Sequence, residues 1–275
     1  MTNKRLLQIL YRKIKRKTRK LFYPEKSLLP NLLERVRVAS IPPKHTFSTS
    51  FLNKKILVSD SKWYLPTLKE IWGTQIYKFN ASSKKPFIID CGANIGLSVL
   101  YWKYLYPDSK IIAFEPDPAI FKILENNLTQ FNYQGIEFRN LAVWSSESEM
   151  SFQVDNSVGG KIIQAENIPN VIKVKPFRLK NLLNQHIDML KIDIEGAEYE
   201  VLKDCQEKLF LVDHLFVEYH GWMSQTQKLH EILEMVNHAG FRYHIKEANP
   251  INHPFIFQEL NKLYDLQLNI FAFRV

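Results

Sequence analysis

The sequence predicts an α/β fold around a mostly parallel sheet, and three observations carry that expectation. From residue 86 onward, short apolar runs alternate with stretches of helical periodicity, the pattern of strands joined by helical crossovers. The run Phe87-Ile88-Ile89 ends at Asp90, then passes through Gly92, Asn94 and Gly96 into an apolar-periodic segment. A second run, Ile111 to Phe114, ends at Glu115, 19 residues beyond Gly96. An acid at the end of each of two neighbouring strands marks a ligand crevice at the carboxyl edge of such a sheet.

The elements follow in order. Residues 1–26 hold ten Lys or Arg against one acid, Glu25, and so carry a net charge of +9, which is the net charge of the whole chain. The other residues balance to zero. The basic character therefore belongs to a tail, and a nucleic-acid enzyme with a basic cleft is disfavoured. Leu6, Leu7, Leu10, Ile14, Leu21 and Phe22 recur at near-helical spacing among the basic residues. This predicts a basic amphipathic helix suited to an anionic membrane surface, with docking on a protein face and a disordered tail as the other readings.

Residues 27–85 read as an N-terminal, largely helical extension. Asp60-Ser61 is a plausible helix cap, and a helix is expected from Leu65 to Tyr77 with Pro66 near its first turn. Trp63, Tyr64, Trp72 and Tyr77 are expected to pack, with one of them free to close over a ligand. Residues 86–275 form the expected catalytic domain. Helices are expected over Leu97–Leu105 and Ala119–Phe131, and strands over residues 110–114, Ile136–Phe138, Ile187–Ile194 and Leu215–His220. Met150–Val154 and Val171–Phe177 read as extra strands around a polar loop holding Gly159-Gly160, beside the substrate mouth.

A length of 275 residues suffices for one catalytic domain plus an extension. No run approaches the ~20 apolar residues needed to span a bilayer. The basic N-terminus lacks the apolar core of a secretory signal. Cys91 and Cys205 make neither a disulfide framework nor a metal-ligand pair. These features predict a cytoplasmic protein, peripheral on the inner membrane face if the tail binds lipid.

The turn after the first strand selects among ligands. A nicotinamide dinucleotide site needs G-x-G-x-x-G, and this chain has only Gly92-x-x-x-Gly96. Asp90 suits a cationic ligand better than a pyrophosphate. S-adenosylmethionine carries a sulfonium and an ammonium and no phosphate, with Glu115 expected on its ribose and the Asn140–Val143 stretch, Ala142 included, at its adenine edge. A dinucleotide site or a ligand-free structural turn are the alternatives.

The second chemical segment is Ile187-Asp-Met-Leu-Lys-Ile-Asp-Ile-Glu-Gly-Ala-Glu198. Lys191 and Asp193 share one strand face, and charges in an interior strand need partners or a cleft. Glu195 follows at the strand end, and the next strand ends in Glu218 and His220. Asp193, Glu195, Glu218 and His220 are thus expected along one rim. Helix capping for the acids and a structural role for the imidazole are the plainer readings. A divalent metal at these groups has no compact ligand spacing behind it.

Asp90-Cys-Gly-Ala-Asn-Ile-Gly96, Phe114-Glu-Pro-Asp-Pro118 and Lys191-Ile-Asp-Ile-Glu-Gly-Ala-Glu198, in this order, resemble the FkbM-type S-adenosylmethionine-dependent methyltransferases. The likeness runs from about Trp63 to Asn269-Ile-Phe-Ala-Phe273 and leaves out the basic tail. It implies a Rossmann-like class I methyltransferase fold, with a seven-stranded sheet, its last strand antiparallel, and helices on both faces. It also implies O-methylation of a hydroxyl, with a sugar in a glycan or glycolipid as the expected acceptor. The donor residues would be Asp90, Gly92, Asn94, Gly96, Glu115 and Ala142. The proton acceptor would be His220 or one of Asp193, Glu195 and Glu218. A catalytically inactive binding module and a membrane-associated adaptor are the rival functions.

Overall fold

The computed structural model describes residues 29–148, 150–153, 161–163, 170–223, 225–250, 253, 255–256 and 264–275. The basic tail and the Gly159-Gly160 loop lie outside them. The chain begins with helix α1 (Leu32–Ala39), the hairpin β1 (Phe47–Phe51) and β2 (Lys54–Val58), and helix α2 (Ser61–Leu68), which runs on into a π-helical turn at Lys69–Gly73. Next come β3 (Phe87–Cys91), α3 (Leu97–Leu105), β4 (Lys110–Phe114), α4 (Pro118–Thr129), β5 (Ile136–Arg139) and β6 (Ala142–Trp144). Three short strands, β7 (Met150–Gln153), β8 (Lys161–Ile163) and β9 (Val171–Val174), form a small antiparallel sheet, and β10 (Pro176–Arg178) pairs in parallel with β6. The rest is β11 (Ile187–Ile192), α5 (Glu198–Cys205), β12 (Val212–Trp222), α6 (Leu229–His238), β13 (Arg242–Glu247) and β14 (Tyr264–Phe273).

The main sheet has seven strands in the order β13-β14-β12-β11-β3-β4-β5. All neighbours are parallel except around β14, which runs antiparallel between β12 and β13. Successive residues of a strand point to opposite faces. Ile88 accordingly belongs to one apolar core, shared with the N-terminal extension, α3 and α4, and Ile89 to a second, shared with α5 and α6. The sheet is buried on both faces, as parallel sheets require.

The extension is part of the first core. Trp72, fully buried, packs edge-on against Phe51 and Tyr101, and Tyr77 packs against Trp102 and Phe216. The buried Asn127 of α4 bonds Leu57 N and Leu57 O, as a neighbouring strand would, and also reaches Ile95 O. This fixes the hairpin against the turn that follows β3.

The helix expected over Leu65–Tyr77 is displaced. It starts at Ser61, where the Asp60 side chain accepts from Lys62 N, and it carries Pro66 in its interior. Past the proline it widens into the π turn, closed by Thr74 N donating to Lys69 O at 2.9 Å, and it stops at Gly73. Extra turn width is the usual relief for a disturbed hydrogen-bond ladder, and such turns recur at functional sites.

Candidate active site

The carboxyl ends of β3, β4, β11 and β12 open onto one cavity of about 500 Å³. Gly92, Asn94, Glu115 and Ala142, expected to hold the donor, line one side, and Asp193, Glu195 and Glu218 line the facing wall. Tyr64, Tyr77 and the rim residue Trp63, 41 % exposed, come from the extension. Phe152 comes from the small β7–β9 sheet. Seven of the ten residues selected from the sequence therefore share one space.

On the donor side, β3 hands the chain into a tight turn with Gly92, Asn94 and Gly96 all at positive φ. A Cβ on Gly92 would stand 1.9 Å from Asp193 O, so the turn can pack against β11 only as glycine. Asn94 takes the left-handed conformation at φ 47° and donates its N–H to Glu115 Oε2 at 3.0 Å. Glu115 Oε1 accepts from Asp117 N, and Asp117 in turn caps α4. Burial pushes the Glu115 carboxyl up to about 8 against these two bonds. Glu115 thus stands anchored at the end of β4, facing the space a ribose would enter.

Two expected donor residues stand elsewhere. Gly96 does not line the cavity. It starts α3, and a Cβ there would meet Leu124 and Leu128 of α4. Asp90 is fully buried beneath the crevice and does not line it either. Its Oδ2 accepts from Ser98 Oγ at 2.5 Å, and its Oδ1 lies 3.2 Å from Lys191 Nζ. The expectation that Asp90 meets a cationic ligand is therefore corrected: its charge faces a lysine on the next strand.

Lys191 lines the cavity and was not among the residues selected from the sequence. It stands in register with Asp90 on the adjacent strand and is 2 % exposed. Its ammonium donates to Gly92 O at 2.8 Å and lies 3.3 Å from Asp193 Oδ2. Burial alone would lower its pKa, but Asp90 and Asp193 outweigh it and hold the charge well above the ordinary range. One cation thus ties the donor turn to the first acid of the opposite wall. The signal was the unpaired charge in an interior strand.

The acid wall continues through an αL pair, Glu195 at φ 56° and Gly196 at φ 100°. A Cβ on Gly196 would stand 2.0 Å from Trp222 Nε1, which makes glycine obligatory there. A non-glycine residue pays roughly 1 kcal/mol or more for that conformation, so Glu195 is held by its surroundings. Glu198 closes the turn, its Oε1 accepting from Ile194 N at 3.2 Å and Gly196 N at 3.0 Å.

His220 is nearly buried and does not line the main cavity. It sits behind the wall, with Nδ1 3.0 Å from Glu198 Oε1 and Nε2 3.6 Å from Glu195 Oε2 and 4.0 Å from Glu218 Oε1. Burial would lower its pKa, but Glu198, Glu195 and Glu218 together raise it well above the ordinary value. Glu218 is pushed up to about 8, first by burial and then by Asp193, with His220 opposing. Gln267 of β14, in register with His220, donates to Glu218 Oε1 at 2.6 Å.

Asp193, Glu195 and His220 each place one ligand-type atom within 4.8 Å of the others. Spacing along the chain had not revealed this trio, because its members come from two strand ends. Cys91 is fully buried with its thiol pushed up, and it is packing.

A seven-stranded sheet with an antiparallel strand inserted near its edge, carrying a ligand turn after one strand and an acid at the end of the next, defines a class I methyltransferase fold. Residues 90–243 match the family model described as the methyltransferase FkbM domain, and the chain belongs to this family of methyltransferases. It is 28% identical over 176 residues to Methyltransferase 1 of Beauveria bassiana, covering 54% of this chain and 71% of that one. It is 32% identical over 187 residues to Methyltransferase sdnD of Sordaria araneosa, covering 54% and 72%. It is 24% identical over 155 residues to the 2-O-methyltransferase NoeI of Sinorhizobium fredii, covering 49% and 63%.

Proposed function

We propose that this methyltransferase uses S-adenosylmethionine to methylate a hydroxyl of a carbohydrate, in a glycan or glycolipid. The observation that carries the reading is the single cavity in which Asn94, Glu115 and Ala142 face Asp193, Glu195 and Glu218. On this reading an adenosine-binding edge faces a proton-accepting wall. The 2-O-methyltransferase among the relatives supports oxygen as the nucleophile.

The bound donor supplies an electrophilic methyl group on a sulfonium. The chain's own groups do the rest. Glu115 would accept the ribose hydroxyls, and Leu141–Val143, which line the cavity, would flank the adenine. The acceptor hydroxyl must be held about 3 Å from the methyl carbon and in line with the bond that breaks. Glu218 would take the hydroxyl proton as the methyl group is transferred. A carboxylate with its pKa near the working pH is the effective base here. His220 behind the wall opposes the upward shift of Glu218 and so favours its ionised form. Trp63 offers an exposed ring for the apolar face of a sugar.

The tail supports a peripheral site of action. Among the described residues no helix is long and apolar enough to cross a membrane. A charge of +9 in residues 1–26 suits an anionic cytoplasmic leaflet, where each base contributes about 1 kcal/mol.

Isothermal titration of the full chain with S-adenosylmethionine, followed by mass spectrometry of glycans exposed to the loaded enzyme, tests the reading. Saturable donor binding and a gain of one methyl group on a sugar oxygen are expected. Binding of a nicotinamide dinucleotide with no affinity for the methyl donor overturns it. Donor binding with no transfer to any glycan leaves the fold as a binding module.

A further inference from the structure

The acceptor half of the cavity has a wall that lies outside the family-matched segment. Trp63, Thr67 and Glu70 come from α2 and the π turn, and Gln267 comes from β14. The π turn brings Glu70 to this wall. It is half-buried, and burial, with Asp193 nearby, raises its pKa while Lys246 opposes. Its Oε1 accepts from Asn269 Nδ2 at 3.3 Å, and Asn269 is 1 % exposed. Glu70 is therefore oriented from behind by the last strand, on the wall that carries Trp63.

The charges of this half are one-sided. Glu70, Asp193, Glu195 and Glu218 line the same cavity, and among the described residues its only lysine or arginine is Lys191. The Lys191 ammonium is already shared by Asp90, Asp193 and Gly92 O. An entering ligand therefore meets hydrogen-bond acceptors and no uncommitted ammonium or guanidinium. A site that receives hydrogen-bond donors discriminates strongly against analogues lacking them.

Resting on the reading of this cavity as the methyl-transfer site, we propose that Glu70 is a specificity-determining residue. It takes a hydrogen-bond-donating group of the acceptor, a hydroxyl or an ammonium, so that the site admits polyols and amines and rejects acids. The family domain then supplies the donor half, and the N-terminal extension selects what is methylated.

The test titrates the full-length, donor-loaded protein with three probe sugars: a methyl glucoside, its 2-amino-2-deoxy counterpart and the corresponding methyl glucuronide. The wild-type protein is expected to bind the glucoside or the amino sugar at least about tenfold more tightly than the uronate. A preference for the amino sugar over the glucoside assigns an ammonium partner to Glu70, and equal affinity assigns a hydroxyl. Glu70→Gln should weaken the favoured sugar about tenfold while S-adenosylmethionine affinity stays at the wild-type value. Glu70→Lys should turn the order toward the uronate. Where Glu70→Lys fails to fold, the near-isosteric Glu70→Gln decides alone. Equal binding of all three sugars, no binding of any, or an order and affinity unchanged in the variants overturns the proposal. Donor affinity is measured on the same samples: wild-type protein that fails to bind S-adenosylmethionine fails the reading of the site itself, whereas normal donor binding with no sugar preference fails only the role of Glu70.

Discussion

Lys191 and Asp90 form a pair closed off from solvent, Nζ to Oδ1 3.2 Å, on neighbouring strands in register. Removing one partner of a buried pair leaves the other charge uncompensated, at a cost of about 3–5 kcal/mol. Lys191→Met should therefore destabilise the fold by that amount in urea unfolding. The double variant with Asp90→Asn should be less destabilised than the sum of the single losses, by roughly 0.5–3 kcal/mol. Strict additivity would show that the two groups do not depend on each other.

Glu115 should report on the donor alone. Glu115→Ala removes a ribose acceptor, and leaving a buried donor without its partner costs about 1–3 kcal/mol. Titration with S-adenosylmethionine should show at least about a tenfold loss of affinity. Unchanged affinity would move the donor elsewhere in the cavity.

The pH profile should carry the signature of Glu218. The base acts in its ionised form, so kcat/KM should rise with pH through about 8, where burial and Asp193 have pushed this carboxyl. Glu218→Gln should lower turnover by about 10²–10⁴-fold and abolish that limb of the profile, with donor affinity retained. A profile of the same shape in the variant would remove Glu218 from the base role.

Exhaustive chelation should leave turnover unchanged. Glu198 and Glu195 favour the charged form of the His220 ring, and a charged ring disfavours a second cation beside it. Loss of activity on chelation, restored by a divalent ion, would show that His220 gives up its proton and that Asp193 and Glu195 act with it as ligands.

The basic tail should be separable from catalysis. Deleting residues 1–26 removes the whole net charge of the chain and no residue lining the cavity. Sedimentation with anionic vesicles should fall on truncation, on Leu10→Glu and with rising salt, since exposed charge is screened over about 8 Å at physiological ionic strength. Equal sedimentation of full-length and truncated protein would reassign the tail to a protein face.

The donor half was legible because it is local. The β3 turn, the β4 acid and the start of α4 fall within 30 residues, and alternation, turn residues and capping chemistry locate each. Pro66 misled the placement of α2, since its tolerance inside that helix depends on the π turn after it. Asp90 was misread for a different reason. A strand-end acid can face the crevice or its neighbour strand, and the choice is made by Lys191, about 100 residues away. The raised pKa of His220 has the same origin, because Glu195 of the turn before α5, Glu198 at the start of α5 and Glu218 of β12 converge on it only after folding. Glu70 gave no signal at all: beside Lys69 in an amphipathic stretch, it reads as part of a solvated helix face.

The position of β14 between β12 and β13 gives the two halves of the cavity different birth dates on the ribosome. The turn, Glu115 and Ala142 have all been made by residue 142, whereas Gln267 emerges more than 120 residues later. Until β14 enters, β12 presents an open edge and β13 has no neighbour, the arrangement most prone to pairing with another chain. A nascent or clipped chain ending before residue 264 would thus keep a formed donor turn while lacking both the amide that steadies Glu218 and the strand that shields the sheet.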